Sequence, residues 1–313
     1  MTERSGEVFD LGYQHYEGPR EGRMRARKAL WVNGVRTALG LGRSSRAKIL
    51  PTLLFVAAIG PAIILILIAS VADVGDEVPG FAGYYQIVSI TLLLFAAIIA
   101  PELLCPDRRD RVLDLYLVRP LTPVDYAGAR WLSFFSIALA LVYSGQIVLL
   151  IGLTLAANDP LEYLRANWLQ VPRFLGAGAV LAIFITTLPL AVAAFTTRRA
   201  YAAAIVIGLF VISAATAGGL TECREAHGAG SNPQGCERQA GDAAKWFALI
   251  DIGQVPSHVN RMIFADDAQA RAAEPSVVTA VRELHSTVPV GWYILMTAVP
   301  GLLLLWRYRS IRL

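Results

Sequence analysis

The chain has 313 residues, with 28 Lys and Arg against 24 Asp and Glu for a net charge of +4, and 55% of its residues are hydrophobic while 17% are charged. A soluble domain usually carries about 25% charged residues, so this composition excludes an ordinary water-soluble globule. The mean hydropathy of +0.51 points the same way. We therefore expect an integral membrane protein.

Six apolar runs are long enough to cross a bilayer as helices. They cover residues 49–71, 85–104, 131–157, 174–197, 201–220 and 288–306. Among all charged residues, Glu102 alone falls inside these runs. The sequence predicts an all-α membrane protein with six transmembrane helices. Its parts are a cytoplasmic tail and interfacial helix (1–48), the first five spans (49–220), an extracytoplasmic helical loop (221–287), and the last span with a short tail (288–313).

The basic residues predict the orientation, because Lys and Arg are retained on the cytoplasmic side. With the N-terminus inside, the cytoplasmic pieces hold 20 basic residues in 84, whereas the opposite pieces hold 8 in 96. We expect a multi-pass protein of the cell membrane with both termini cytoplasmic. The first 48 residues are polar and predict no cleavable signal peptide.

A basic segment follows the Gly-containing first 20 residues. Arginines and lysines from Arg23 to Lys48 alternate with apolar residues, and Trp31, Val35 and Leu39 fall at helical spacing. This pattern predicts an amphipathic helix lying in the headgroup region of an anionic leaflet. The alternative is a basic flank that only holds the N-terminus inside, and both can hold together.

The 67-residue loop at 221–287 is too long for a simple connection. Its short apolar stretches predict a helical cap on the outer ends of the spans, with a free-standing soluble domain as the alternative. Cys223 and Cys236 share this loop, where oxidising conditions permit a disulfide between them. A metal site from Cys223, His227 and Cys236 is the other interpretation, although their spacing matches no usual zinc pattern.

The six predicted spans contain few side chains that could bind an ion or catalyse a reaction. They contain no Lys, Arg, Asp or His, whereas ion-coupled transporters usually carry ionisable groups there. Gln86, Ser89 and Gln146 are the polar candidates for lining a pathway, and neutral walls suit an amphiphile better than an ion. No lysine follows a glycine, so the chain has no phosphate-binding loop. We expect no bound cofactor and no catalytic site of its own, so any energy must come from a partner.

The connection after the second span, residues 105–130, is the best docking candidate. A charge cluster precedes an apolar helix-like face that ends at Pro120. A short amphipathic helix on the cytoplasmic surface can enter a groove on another protein. The alternative is an interfacial connector that touches only lipid.

The same connection resembles the signature of ABC-2-type permeases, the membrane subunits of one class of ABC exporters. Members of that family read in outline Glu-Arg-Arg-Ser-Gly-Thr-Leu-Glu-Leu-Leu-Leu-Ser-Arg-Pro-Leu, then Arg-Tyr. The family Gly-Thr is replaced here by Arg111-Val112, and the acids are Asp107 and Asp114. The other matching residues are Arg108, Arg109, Leu113, Leu115, Leu117, Arg119, Pro120, Leu121 and Tyr126.

This resemblance implies a permease subunit of an ATP-driven exporter working by alternating access. Residues 107–121 would be a coupling helix on a separate ATP-binding subunit, which binds ATP and Mg²⁺, and a second permease copy or paralogue would complete the pathway. Asp107, Arg108, Arg109, Asp114, Arg119 and Pro120 would be the coupling residues. Glu102 either locks the junction by pairing with an arginine or reaches solvent. The competing hypothesis is a non-transporting anchor that recruits a cytoplasmic protein.

Overall fold

A computed structural model describes residues 22–42, 44–71, 80–113, 116, 121–224, 237–264 and 276–310. The described chain is helical apart from an antiparallel ladder of two residues per strand, β1 and β2. In chain order the elements are α1 (Arg23–Ala38), α2 (Ser45–Val71), α3 (Phe81–Ile87), α4 (Ser89–Arg109), α5 (Pro123–Ala156), α6 (Pro160–Ala166), α7 (Gln170–Phe195), α8 (Arg199–Thr221), β1 (Cys223–Arg224), β2 (Glu237–Arg238), α9 (Ala244–Phe247), α10 (Gln254–Phe264), α11 (Ser276–Arg282) and α12 (Thr287–Arg309).

Six of these helices, α2, α4, α5, α7, α8 and α12, are long and apolar enough to cross a membrane. Each overlaps one of the six predicted apolar runs, so the prediction of a multi-pass helical membrane protein is confirmed at this level. Prolines inside α2, α4, α7 and α12 are tolerated because neighbouring helices can satisfy the backbone groups that they free.

The second predicted run differs from the structure at its start. The chain forms a short helix, α3, then turns at Val88, and α4 begins only at Ser89. Tyr84 in α3 is fully buried and donates a hydrogen bond to the carbonyl of Ala58 at 2.8 Å. The apolar pattern continues through Val88, which is why hydropathy alone joined the two helices.

Three helices form the buried middle of the bundle, α4, α5 and α7. Their most apolar windows are 56%, 44% and 67% buried, whereas the windows of α8 and α12 are each 17% buried. Small residues let the central helices approach closely, and seven alanines of these three helices have no exposed surface: Ala97, Ala100, Ala138, Ala177, Ala182, Ala193 and Ala194. The more exposed helices surround this centre.

The start of α5 is fixed by its own sequence. Thr122 accepts a hydrogen bond from the backbone N–H of Asp125, whose carboxylate accepts from the N–H of Thr122, and Pro123 occupies the first turn. This reciprocal capping box satisfies donors that the first turn would leave free. It fixes the residue at which α5 begins.

The described part of the long loop is also mostly helical. α10 packs against α7, α12 and α3, and α11 packs against α8 and α9. Trp292 of α12 donates to the carbonyl of Leu249 at 2.9 Å. These contacts hold the described part of the loop against the spans, whereas its assignment as a cap stays a prediction.

Candidate functional site

One end of the bundle, which we call the junction end, gathers the charged residues around the end of α4. Asp107, in the last turn of α4, forms an ion pair with Arg130 of α5 at 2.5 Å and accepts a hydrogen bond from the Tyr126 hydroxyl at 2.6 Å. The Arg130 side chain is 3% exposed. A buried pair of this kind ties α4 to α5, because separating it would leave a charge without compensation.

Aromatic rings extend this network to the last span. The Arg130 guanidinium lies 5.6 Å from the centroid of the Tyr126 ring, and that ring lies 5.2 Å from the ring of Tyr308 in α12. Tyr126 and Tyr308 are buried. A displacement of Asp107 would therefore shift side chains in both α5 and α12.

Arg108 turns inward from the same helix end. Its guanidinium donates to the carbonyls of Ala194 and Thr196, the latter at 3.3 Å. These carbonyls lie at the C-terminal end of α7, where backbone acceptors lack helical partners and positive charge is favourable. Arg108 thus fixes α4 to α7.

Glu102 lies one to two turns earlier in α4. Of the two alternatives considered for it, the structure contains the ion pair, and its partner is Arg199 in the first turn of α8. α4 is consequently joined through charged side chains to α5, α7 and α8.

Arg109, Asp110 and Arg111 point away from the bundle. The side chains of Arg109 and Asp110 are 80% and 62% exposed, with 3.8 Å between Arg109 Nε and Asp110 Oδ1. Arg111 has a φ of 53°, a left-handed conformation that favours glycine. The exposed charges therefore lie on a turn that directly follows Asp107 and Arg108, which bind α5 and α7. Asp114, Arg119 and Pro120 lie outside the described residues.

A second charge cluster at the junction end was not anticipated. Asp125, with a side chain 6% exposed, forms ion pairs with Arg23 and Arg27 of α1, each at 2.6 Å. The Thr-Pro-Val-Asp run from Thr122 to Asp125 matches a capping-box pattern, and this was the one signal in the sequence that marked Asp125. Nothing local indicated that the same carboxylate also binds α1.

α1 packs closely along α5. Trp31 Nε1 donates to Ser136 Oγ at 3.1 Å, and Ser133 Oγ donates to the Trp31 carbonyl at 2.9 Å. A Cβ on Gly34 would lie 2.2 Å from Ser133 Oγ. The contact therefore requires glycine at this position. A location of α1 in a membrane interface stays a prediction.

The opposite end contains a cavity of about 320 Å³, which we call the outer cavity. It lies among α3, α4, α7, α8, α10 and the residues that lead into α10. Gln86 and Ser89, two of the three pathway candidates, line it. Apolar side chains such as Leu93, Phe184 and Phe210 form its walls, and Asp251 and Arg261 add charged groups.

Gln146, the third pathway candidate, is not among the lining residues of this cavity. It is fully buried in α5, and its Nε2 donates to the Phe81 carbonyl at 2.8 Å. This hydrogen bond joins α5 to the start of α3. The structure thus separates the two glutamines that the sequence had grouped together.

The disulfide proposed between Cys223 and Cys236 stays a prediction, because Cys236 lies outside the described residues. His227 does so too, and with it the metal-site alternative. Within the described ranges, no group of three His, Cys, Asp or Glu side chains is arranged to hold a metal ion.

The residues thus form two sites, a charged junction that links four spans and an apolar cavity with a charged end. Comparison of the sequence with known proteins finds no matching family model and no matching curated protein.

Proposed function

We propose that this chain is the membrane permease subunit of an ABC-2-type exporter, driven by separate ATP-binding subunits that dock on residues 107–121. The observation that carries the proposal is that neighbouring charged residues at the end of α4 differ in burial. Asp107 and Arg108 are bound inside the bundle, while Arg109 and Asp110 are exposed beside them. An exposed charged turn that is anchored in this way can bind a subunit and transmit its displacement to the spans.

Charge supports the orientation that this proposal requires. The junction end carries the basic N-terminal helix, the Arg198-Arg199 turn and the basic end of α12. Positive flanks are retained in the cytoplasm, where ATP-binding subunits are found. We therefore assign the junction end to the cytoplasmic side and the outer cavity to the other side.

The backbone at Arg111 also supports the resemblance. The family signature has a glycine at this position, and Arg111 adopts a left-handed φ of 53°. Glycine takes this conformation without a steric cost. The turn geometry of the family signature is therefore consistent with the turn found here.

In the mechanism we propose, closure of the ATP-binding subunits moves the turn at Arg109 to Arg111. The Asp107–Arg130 pair transmits the movement to α5, and the Arg108 and Glu102 contacts transmit it to α7 and α8. α4, α7 and α8 also form the outer cavity. A movement imposed at one end can thus change the shape of the site at the other end.

The docking test measures how much of a co-expressed ABC-type ATP-binding subunit is retained by the detergent-purified chain. Arg109→Glu should reduce retention about fivefold, which corresponds to about 1 kcal/mol. Arg46→Glu, an exposed arginine in the first turn of α2, is the matched control. Arg108→Gln should chiefly lower thermal stability, since it removes the contacts with the end of α7. Retention of the subunit by Arg109→Glu at the wild-type level would refute the docking assignment.

A second measurement separates a permease from a non-transporting anchor. A cysteine at Ser89, which lines the outer cavity, reports access to that site through its rate of alkylation. In the complex with its ATP-binding subunit, ATP and vanadate should change this rate at least about threefold. A rate independent of nucleotide would favour the anchor.

A further inference from the structure

The outer cavity is amphipathic. Its walls are apolar side chains of α4, α7 and α8, and its polar end is formed by Gln86 and Ser89 together with residues between Asp251 and Arg261. Val211, one of the apolar lining residues, lies ten residues before the end of α8, which at 1.5 Å per residue is about 15 Å along the helix. The apolar part therefore extends well into the span.

Asp251 is a buried carboxylate on the wall of this cavity. The residue is 6% exposed, and its Oδ1 accepts from the N–H groups of Gly253 and Gln254 at 2.9 and 3.1 Å. Within the described ranges, Oδ2 accepts no hydrogen bond and Asp251 takes part in no ion pair. A carboxylate that has left water without a counterion is costly, so a cation that enters the cavity would stabilise it.

The hydroxyl groups beside Asp251 also lack free donors. Ser89 Oγ donates to the Gln86 backbone carbonyl at 2.7 Å, and Ser257 Oγ donates to the Gly253 carbonyl at 3.1 Å. Both serines line the cavity. Because a hydroxyl has one proton and two lone pairs, the carboxylate and the two hydroxyls offer a ligand only acceptors. An ammonium group, with its positive charge and three donors, is complementary to them.

Arg261 is the other charged group on the wall. It forms no ion pair with Asp251, and its Nε donates to the Gln86 amide oxygen at 2.9 Å, which holds it against α3. An ammonium in contact with Asp251 would lie closer to the carboxylate than to the guanidinium. Since the Coulomb energy falls with distance, attraction exceeds repulsion whether or not Arg261 has a counterion of its own.

The protonation of Asp251 agrees with a missing counterion. Burial raises its pKa, although the N–H groups of Gln254 and Gly253 oppose the shift. An adjacent positive charge favours the ionised carboxylate. A bound ammonium would therefore supply the interaction that the empty site lacks.

The apolar part of the cavity reaches the lipid-facing surface between α4 and α8. Ile90 of α4 and Val211 of α8 both line it and are 68% and 56% exposed. An opening flanked by apolar side chains in the spanning part of two helices admits an alkyl chain from the bilayer. At about 320 Å³, the cavity is at the small end of the range for ligand pockets, which suits one chain better than two.

We propose that the outer cavity binds a single-chain primary amine, with its ammonium group on Asp251 and its alkyl chain between α4, α7 and α8. The molecule enters from the bilayer between Ile90 and Val211. Regarding this molecule as cargo rests on the proposed function, whereas its binding does not.

Photolabelling of the purified chain in phosphatidylcholine nanodiscs, without any ATP-binding subunit, tests the site. The probes are diazirine-bearing alkyl chains of equal length that end in primary ammonium, trimethylammonium, hydroxyl or phosphate, and each yield is divided by the labelling of the lipid. The primary ammonium probe should label cavity peptides about tenfold more than any other probe, a ratio equivalent to 1.4 kcal/mol. Equal labelling by the hydroxyl probe would show that charge is not required, and equal labelling by the trimethylammonium probe would show that donors are not required. Either result, or a preference for phosphate, would overturn the proposal.

A charge-removing variant tests the role of Asp251. Asn has the same shape and can accept the same two backbone hydrogen bonds at the start of α10, so Asp251→Asn removes little except the negative charge. The preference for primary ammonium over hydroxyl should fall from about tenfold to less than about twofold. Asp242→Asn removes the same charge from an exposed residue of the loop that does not line the cavity, and it should leave the preference unchanged. An unchanged preference in Asp251→Asn would refute the assignment.

A second pair of variants locates the alkyl chain, even if Asp251→Asn does not fold. Ala214→Phe fills the cavity from α8 and should reduce labelling by the ammonium probe at least about fivefold, equivalent to about 1 kcal/mol. Ala215→Phe, an exposed neighbour that is not among the lining residues, should not reduce it. Identical labelling of the two variants would place the probe elsewhere and refute the site.

A further arm distinguishes a single-chain amine from an amine-bearing membrane lipid. Labelling by the primary ammonium probe should persist in nanodiscs that contain phosphatidylethanolamine. Its loss there would mean that a two-chain aminophospholipid occupies the site, and the single-chain assignment would be wrong. Because no ATP-binding subunit is present, failure here is distinguishable from failure of the docking test.

Discussion

Replacing Asp107 with Asn tests the buried junction most directly. Asn has nearly the same shape and can still accept the hydrogen bond from Tyr126, so the substitution removes little except the negative charge. It leaves the Arg130 guanidinium, 3% exposed, without its carboxylate. Breaking a buried pair by removing one partner costs about 3–5 kcal/mol. For a chain of this size we convert each kcal/mol into about 2 °C, which predicts a loss of roughly 6–10 °C.

The reciprocal substitution, Arg130→Met, should cost less. It removes the buried cation and leaves Asp107, which is 15% exposed and still hydrogen-bonded by Tyr126. We expect about 1–3 kcal/mol for this change. In the double variant no unpaired charge remains, so its cost should be smaller than the sum of the two single costs by at least about 1.5 kcal/mol.

The assay is the fraction of monodisperse protein that survives a temperature series in detergent, measured by size-exclusion chromatography. Arg109→Gln is the control, because its side chain is 80% exposed and the change should stay within about 0.5 kcal/mol. Costs of Asp107→Asn and Arg130→Met that simply add in the double variant would refute the interaction between these residues.

Three further substitutions test other parts of the structure. Gly34→Ala should lower stability by about 1–3 kcal/mol because its Cβ would overlap Ser133 Oγ. Adding Ser133→Gly to the same chain should recover most of this loss in the thermal series. No loss of stability in Gly34→Ala would contradict the packing of α1 on α5. Arg111→Gly should raise stability by about 1 kcal/mol, since it relieves a left-handed residue, and a lower melting temperature would show that the turn is held differently. Asp125→Asn should speed amide exchange across α1 at least about tenfold by removing two ion pairs, with unchanged exchange showing that α1 is held by other contacts.

Much of the fold could be predicted from the sequence because the relevant forces are local. A helix that crosses a bilayer needs about 20 apolar residues, and this condition can be checked from the sequence of each segment alone. Five of the six predicted spans accordingly match single helices within a few residues at most ends, although α5 begins eight residues earlier than predicted, at Pro123. Val88, the single residue between α3 and α4, shows the limit, since hydropathy does not register where one helix ends and the next begins.

The candidate sites were predicted less completely. Arg108 and Arg109 are adjacent and chemically identical, and their roles differ because one reaches the carbonyls at the end of α7 and the other does not. Gln86 and Gln146 are alike in the same way, yet one lines the cavity and the other binds the Phe81 carbonyl. Arg261 could not be assigned from its position in a long loop. In each case the role depends on residues distant in the sequence.

The sequence by itself determined the helical, membrane-protein character of the chain, the six segments that are apolar enough to cross a bilayer and the residues that carry its charge, because hydrophobic burial and charge exclusion act on each segment separately. Only the tertiary structure decided which charges meet. The pairing of Asp107 with Arg130, of Glu102 with Arg199 and of Asp125 with α1 follows from the packing of helices distant in the chain. A charged group removed from water depends on its partner, and the partner is specified by the fold.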